Sequence, residues 1–226
     1  MTPLSPTARQ TSQPPALQTG APLDQADGLG ILLHGRGASA SDIIGLAGPL
    51  TPRGELGERI AWLAPQAAGN VWYPHRFTEP IALNQEALAA ALGVIDAIIE
   101  RAIAAGLPAD RVMLTGFSQG GCLALEYAWQ GQYRVGAVGA LSGGLVGQLD
   151  TDPRPAADLS GLPIFVGMGD ADAIVPLSQI EASVALLEQA GADVTYQLYP
   201  GLGHGIIRPE TDILRQMMTD LTRDAG

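Results

Sequence analysis

The apolar positions of this chain fall into two alternating patterns. Short runs at 30–34, 60–64, 111–115, 138–142, 163–168 and 194–199 are rich in Val, Ile, Leu and aromatic residues and read as strands. Between them, 83–106, 119–130, 177–190 and 210–223 carry good helix formers. In the longest, Ala87, Ala91, Ile95, Ile98 and Ala102 recur at steps of three and four, and Gly106-Leu107-Pro108 ends the helix. Strands alternating with helices predict an α/β fold with a mostly parallel central sheet and helices on both faces. Residues 1–16, rich in Pro, Thr, Gln and Ser, read as a flexible tail, and 17–226 as one domain. In such a sheet the loops that follow the strands share one edge, where ligand sites gather.

One of those loops carries a chemical signal. Gly116-Phe117-Ser118-Gln119-Gly120 is a G-x-S-x-G pentapeptide lying where a strand ends and a helix begins. A serine on such a tight turn presents its hydroxyl at the sheet edge, where a histidine can deprotonate it. Ser142 is a poor competitor, because Ala140 replaces the needed glycine and no helix follows. Cys122, on the helix after the turn, reads as a packed small hydrophobe.

The base comes from a short roster. The chain has three histidines, His34, His75 and His204. Elbow-type hydrolases run Ser, then Asp or Glu, then His along the chain, and only His204 lies downstream of Ser118. The orienting acid should lie between them on a loop after a strand. Asp170 and Asp172 both qualify, and spacing does not choose between them. Capping the helix after Pro176 is the bland alternative for either. A calcium loop lacks its ligand run and glycine there. Two backbone N–H groups are expected to face a developing oxyanion: that of Gln119, and that of Arg36 in the His34-Gly35-Arg36-Gly37 turn. Trp72, Tyr73 and Leu145 are the expected lining of an apolar acyl pocket.

Composition narrows the partners. The formal net charge is −11 and all 12 basic residues are arginine. Without lysine there is no Schiff base and no covalently held pyridoxal phosphate; the acidity argues against nucleic acid and anionic membranes. One cysteine forms no internal disulfide, which fits a reducing, cytoplasmic setting. No signal peptide and no bilayer-spanning apolar run is read, so no membrane insertion is expected. Scattered histidines make a metal site improbable, and none is expected.

With these pieces placed, the chain resembles the carboxylesterase/phospholipase family of small α/β-hydrolases, which includes acyl-protein thioesterases and lysophospholipases. The matching stretches are residues 32–38, Trp72-Tyr73-Pro74, Gly116 to Gly121, Gly169 to Asp172 with Val175-Pro176, and Gly203-His204. The resemblance implies an α/β-hydrolase fold with Ser118 as nucleophile, Asp172 rather than Asp170 as acid, His204 as base, and oxyanion donors at Arg36 and Gln119. It also implies cofactor-free hydrolysis of small to medium acyl esters, with lysophospholipids or thioesters as variants, and a homodimer. Arg36 departs from part of the family, whose thioesterase members often carry an apolar residue there. Two rival readings are a lactone hydrolase of the dienelactone type, which usually carries cysteine at the elbow, and a non-catalytic ligand-binding module on the same fold.

Overall fold

The computed structural model describes residues 16–152, 154–155 and 157–223. Seven strands form one sheet: β1 (Ala16–Gly20), β2 (Gly28–Leu33), β3 (Ile60–Pro65), β4 (Val112–Phe117), β5 (Ala137–Leu141), β6 (Pro163–Gly169) and β7 (Asp193–Tyr199). Their spatial order is β1-β3-β2-β4-β5-β6-β7. Only β1 runs antiparallel, against β3, with Ala16 opposite Pro65; every other neighbouring pair is parallel. All residues of β2 and β3 are buried, which is why they read as continuous apolar runs.

The helices are α1 (Ala40–Ile43), α2 (Ala47–Leu50), α3 (Glu55–Glu58), α4 (Gln85–Ala104), α5 (Gln119–Gln130), α6 (Leu177–Gln189) and α7 (Arg208–Arg223). Strand alternation sorts them into two layers. Ile31 and Leu33 share one core with Ile95 of α4, Leu123 of α5 and Ile180 of α6. Leu32 points the other way, to a second core with Ile43, Leu50, Leu214 and Met218 of α1, α2 and α7. On α4 the buried stripe includes Leu88, Leu92 and Ile99 with Ala91, Ile95, Ile98 and Ala102, whereas Ala87 is only half-buried.

One sequence expectation needs correction, and several short elements went unread. Ala16 opens an edge strand rather than ending a tail; residues 1–15 lie outside the described residues. Strand β1 was not expected because four of its five residues are exposed, so no hydrophobic period marks it. The helices α1 to α3 span four residues each, too short for a helical period to be legible.

After β3 the chain crosses β2 through α4 and enters β4 on the other side. The direction of winding therefore reverses at β2 and β4, and the crevice at their carboxyl ends is the natural ligand position. Among the described residues, no helix is long and apolar enough to cross a membrane.

Candidate active site

Ser118 stands between β4 and α5 at φ 54° and ψ −119°. That conformation is costly for a side-chain-bearing residue, by about 1–3 kcal/mol. It is held from both sides: the Ser118 N–H donates to the Leu141 carbonyl at 2.8 Å, and the Ser118 carbonyl accepts from the Cys122 N–H at 3.0 Å. The elbow also requires its two glycines. A Cβ on Gly116 would lie 2.2 Å from the Gly120 carbonyl, and one on Gly120 would lie 2.1 Å from the Leu33 carbonyl. The spacing seen in the sequence is thus the spacing at which strand, turn and helix can pack without collision.

His204 comes from the loop after β7 and Asp172 from the loop after β6. The His204 Nδ1–H donates to Asp172 Oδ2 at 2.7 Å. Asp172 Oδ1 accepts the N–H groups of Ile174 (2.8 Å) and Val175 (3.0 Å), so both carboxylate oxygens are committed. Burial alone would raise the Asp172 pKa, but the bond from His204 and the two backbone N–H groups outweigh it and hold the carboxyl below its ordinary value. An ionised Asp172 keeps the proton on Nδ1 and leaves Nε2 as the basic nitrogen. The His204 ring lies 4.8 Å from that of Phe117, the residue before the elbow serine, with the two planes tilted by 39°.

Asp170 does a different job. Its Oδ1 accepts from the Gly201 N–H at 2.6 Å, closing the loop that leads to His204. Neither aspartate caps α6, whose N-cap is Pro176. Of the two aspartates that spacing could not separate, Asp172 is the one bonded to His204, and Asp170 is bonded to Gly201.

The turn after β2 lies against the elbow: a Cβ on Gly35 would sit 3.4 Å from that of Ser118. His34 holds this turn from beneath. It is fully buried, its Nδ1–H donates to the Gly35 carbonyl at 2.8 Å, and its Nε2 accepts from the Ala67 N–H at 3.2 Å. That pair of bonds needs the neutral ring with its proton on Nδ1. The N–H of Gln119 lies in the first turn of α5, where helix geometry supplies no intrahelical acceptor. The side chains of Arg36 and Gln119 are occupied elsewhere. Arg36 donates to the carbonyls of Tyr73 (2.8 Å), Pro74 (3.0 Å) and His75 (2.8 Å). Gln119 accepts from the Trp72 N–H (3.0 Å) and donates to the Tyr73 carbonyl (2.8 Å). Both therefore pin residues 72–75, and only their backbone N–H groups are candidates for an oxyanion.

Ser118, His204, Gln119 and Arg36 line one cleft of about 460 Å³, walled by Tyr73, Phe77, Phe117, Ile174 and Val175. Of the three residues expected to line an acyl pocket, Tyr73 is on the cleft. Trp72 and Leu145 are instead core residues. The Trp72 indole N–H is spent on the His34 carbonyl at 2.8 Å, and the Leu145 side chain is fully enclosed, its N–H bonded to Ser183 Oγ at 2.9 Å. Phe77, Ile174 and Val175 were missed. The apolar pair Ile174-Val175, two residues after Asp172, was a legible hint; Phe77 had none. Cys122 also borders the cleft, but burial pushes its thiol up to about 11, so it stays neutral at physiological pH.

A mostly parallel sheet with a strained serine on the strand-to-helix turn, and an Asp-paired histidine on later loops, defines an α/β-hydrolase. The chain belongs to the phospholipase/carboxylesterase family, whose sequence model matches residues 16–221. A solved phospholipase/carboxylesterase from Dyadobacter fermentans is 34% identical, with a TM-score of 0.79 over 91% of this chain and 96% of that one. Acyl-protein thioesterase 1 of Neurospora crassa is 32% identical over 126 residues, 54% of this chain and 51% of that protein. Carboxylesterase SOBER1 of Arabidopsis thaliana is 27% identical over 166 residues, 66% of this chain and 72% of that protein. The chain spans about half the length of the thioesterases it matches from N. crassa and Gibberella zeae.

Proposed function

We propose that this chain, read as one catalytic domain from residue 16 onward, is a serine hydrolase of small to medium carboxylic esters. The observation that carries the reading is the 2.7 Å bond from His204 Nδ1 to Asp172, on the same cleft as the elbow serine. Ser118 attacks the acyl carbonyl as His204 Nε2 takes its proton. The tetrahedral oxyanion is received by the N–H groups of Gln119 and Arg36. His204 then protonates the leaving alcohol, and the same nitrogen activates a water that frees the acid from the acyl-enzyme. The cycle needs no group beyond these residues and water.

Family membership and the names of its relatives support ester or thioester hydrolysis. The serine at the elbow favours this reading over a cysteine-dependent lactone hydrolase. An activated ester is expected to release a rapid burst of leaving group, stoichiometric with enzyme, before steady turnover. A binding module on the same fold would give none, and that result would end the proposal.

The two aspartates give a second test. Asp172→Asn should lower kcat by about 10⁴-fold, since the amide no longer stabilises the imidazolium or its tautomer. Asp170→Asn keeps an oxygen for the Gly201 N–H and should cost about tenfold or less. The opposite ranking would exchange their roles. Because Asp172 is held ionised below the ordinary carboxylate range, its own protonation should not set the low-pH limb of hydrolysis.

A further inference from the structure

Resting on the esterase reading, we propose that the cleft selects esters that carry an anionic group, a carboxylate or a phosphate, and that Arg76 with Arg36 receives it. The charge distribution is the first ground. The chain holds 23 acidic residues against 12 arginines, yet among the described residues Arg36 and Arg76 border the cleft and no aspartate or glutamate does. Cationic side chains set among apolar walls focus a positive potential on a small anion, even though the molecule as a whole repels polyanions.

The second ground is that these two charges are not neutralised. Arg59, Arg154, Arg208 and Arg215 each sit on a carboxylate. Arg36 and Arg76 have no acidic partner among the described residues. The partners of Arg36 are three carbonyl dipoles, which use three of its five N–H donors and leave its charge in place.

The third ground is rigidity. Arg76 follows directly on the segment that Arg36 clamps. Asn84, almost fully buried, accepts the His75 N–H at 2.9 Å and donates to the Arg76 carbonyl at 3.3 Å. The backbone carrying Arg76 is thus fastened on both sides while its guanidinium stays exposed at the cleft. A planar fork on a fixed backbone suits the two oxygens of a carboxylate or phosphate.

The test uses three matched pairs of activated esters, each neutral or anionic: a carboxylate on the acyl part, a carboxylate on the leaving group, and a phosphate on the leaving group. The readout is the ratio of kcat/KM for the anionic to the neutral member in wild type, Arg76→Gln and Arg76→Lys. In at least one pair Arg76→Gln should lower that ratio by about tenfold, and Arg76→Lys by less, because it keeps the charge and loses the fork. Rising salt should lower the wild-type ratio in the same pair. The pair that responds identifies which anion is taken and on which side of the scissile bond. A ratio unchanged by Arg76→Gln in all three pairs overturns the proposal while leaving the esterase reading intact. No turnover of any ester by wild type overturns both.

Discussion

Replacing Ser118 with alanine is expected to lower kcat for ester hydrolysis by about 10⁵–10⁶-fold and to abolish labelling by a fluorophosphonate. The fold should survive, because the strain at this position belongs to the backbone and alanine inherits it unchanged. Gly116 and Gly120 would still pack against the turn, and the Ser118 N–H and carbonyl would keep their partners in Leu141 and Cys122. On the mechanism proposed above, what is lost is the oxygen that forms the acyl-enzyme. Cys122 cannot replace it, since burial keeps its thiol protonated. The residual rate should come from ester binding and oxyanion stabilisation alone. Thermal denaturation of the variant should lie close to that of wild type. Labelling that persists in Ser118→Ala would remove this residue from the mechanism.

Replacing Arg154 with methionine should destabilise the protein by about 3–5 kcal/mol at neutral pH. Arg154 is paired with Glu126, whose side chain is fully buried on the elbow helix α5. Glu126 also accepts the Val146 N–H at 2.6 Å and the Gln130 amide at 2.8 Å, while Arg154 donates to the Val146 carbonyl at 2.6 Å and lies 5.2 Å over the Trp129 ring. Burial pushes the Glu126 pKa up, and Arg154 is the largest influence pulling it back. Removing the guanidinium strands an ionised carboxylate in the core.

The sign of the pH dependence follows. A carboxyl whose folded-state pKa is raised binds its proton more tightly in the native state than in the unfolded chain. Stability therefore falls as pH rises from the unfolded value, about 4.3, through the folded one. Arg154→Met raises the folded value further, so its deficit should be greatest near neutrality and shrink as pH falls toward the unfolded value. Urea denaturation across that range measures it. The double variant Glu126→Gln/Arg154→Met should recover most of the loss, because no charge remains buried. A deficit independent of pH would show that packing on Trp129, not charge, is what Arg154 supplies.

The legibility of the site followed the locality of its geometry. Gly116, Ser118 and Gly120 could be read because their constraints act within five residues of chain. His204 could be singled out as a candidate because few histidines compete and chain order sets it apart from the others. Asp170 and Asp172 could not be separated on spacing, since both lie on one turn and differ only in which later residue each one meets. Trp72 and Leu145 were misplaced for a related reason. An aromatic or leucine on a loop looks the same whether it faces a cleft or closes over a core, and only the partners of the indole N–H and the enclosure of the leucine tell these apart.

From the chain alone came the alternation of strands and helices, the parallel sheet, the elbow and the order of its partners, because backbone sterics and hydrophobic periodicity act over short separations. Tertiary structure decided which aspartate meets His204, which side chains wall the cleft, that β1 forms a sheet edge, and that two arginines with no acidic partner among the described residues border the cleft. Those facts depend on contacts between residues tens of positions apart, which composition and spacing do not encode and which the packing of loops on one sheet edge creates.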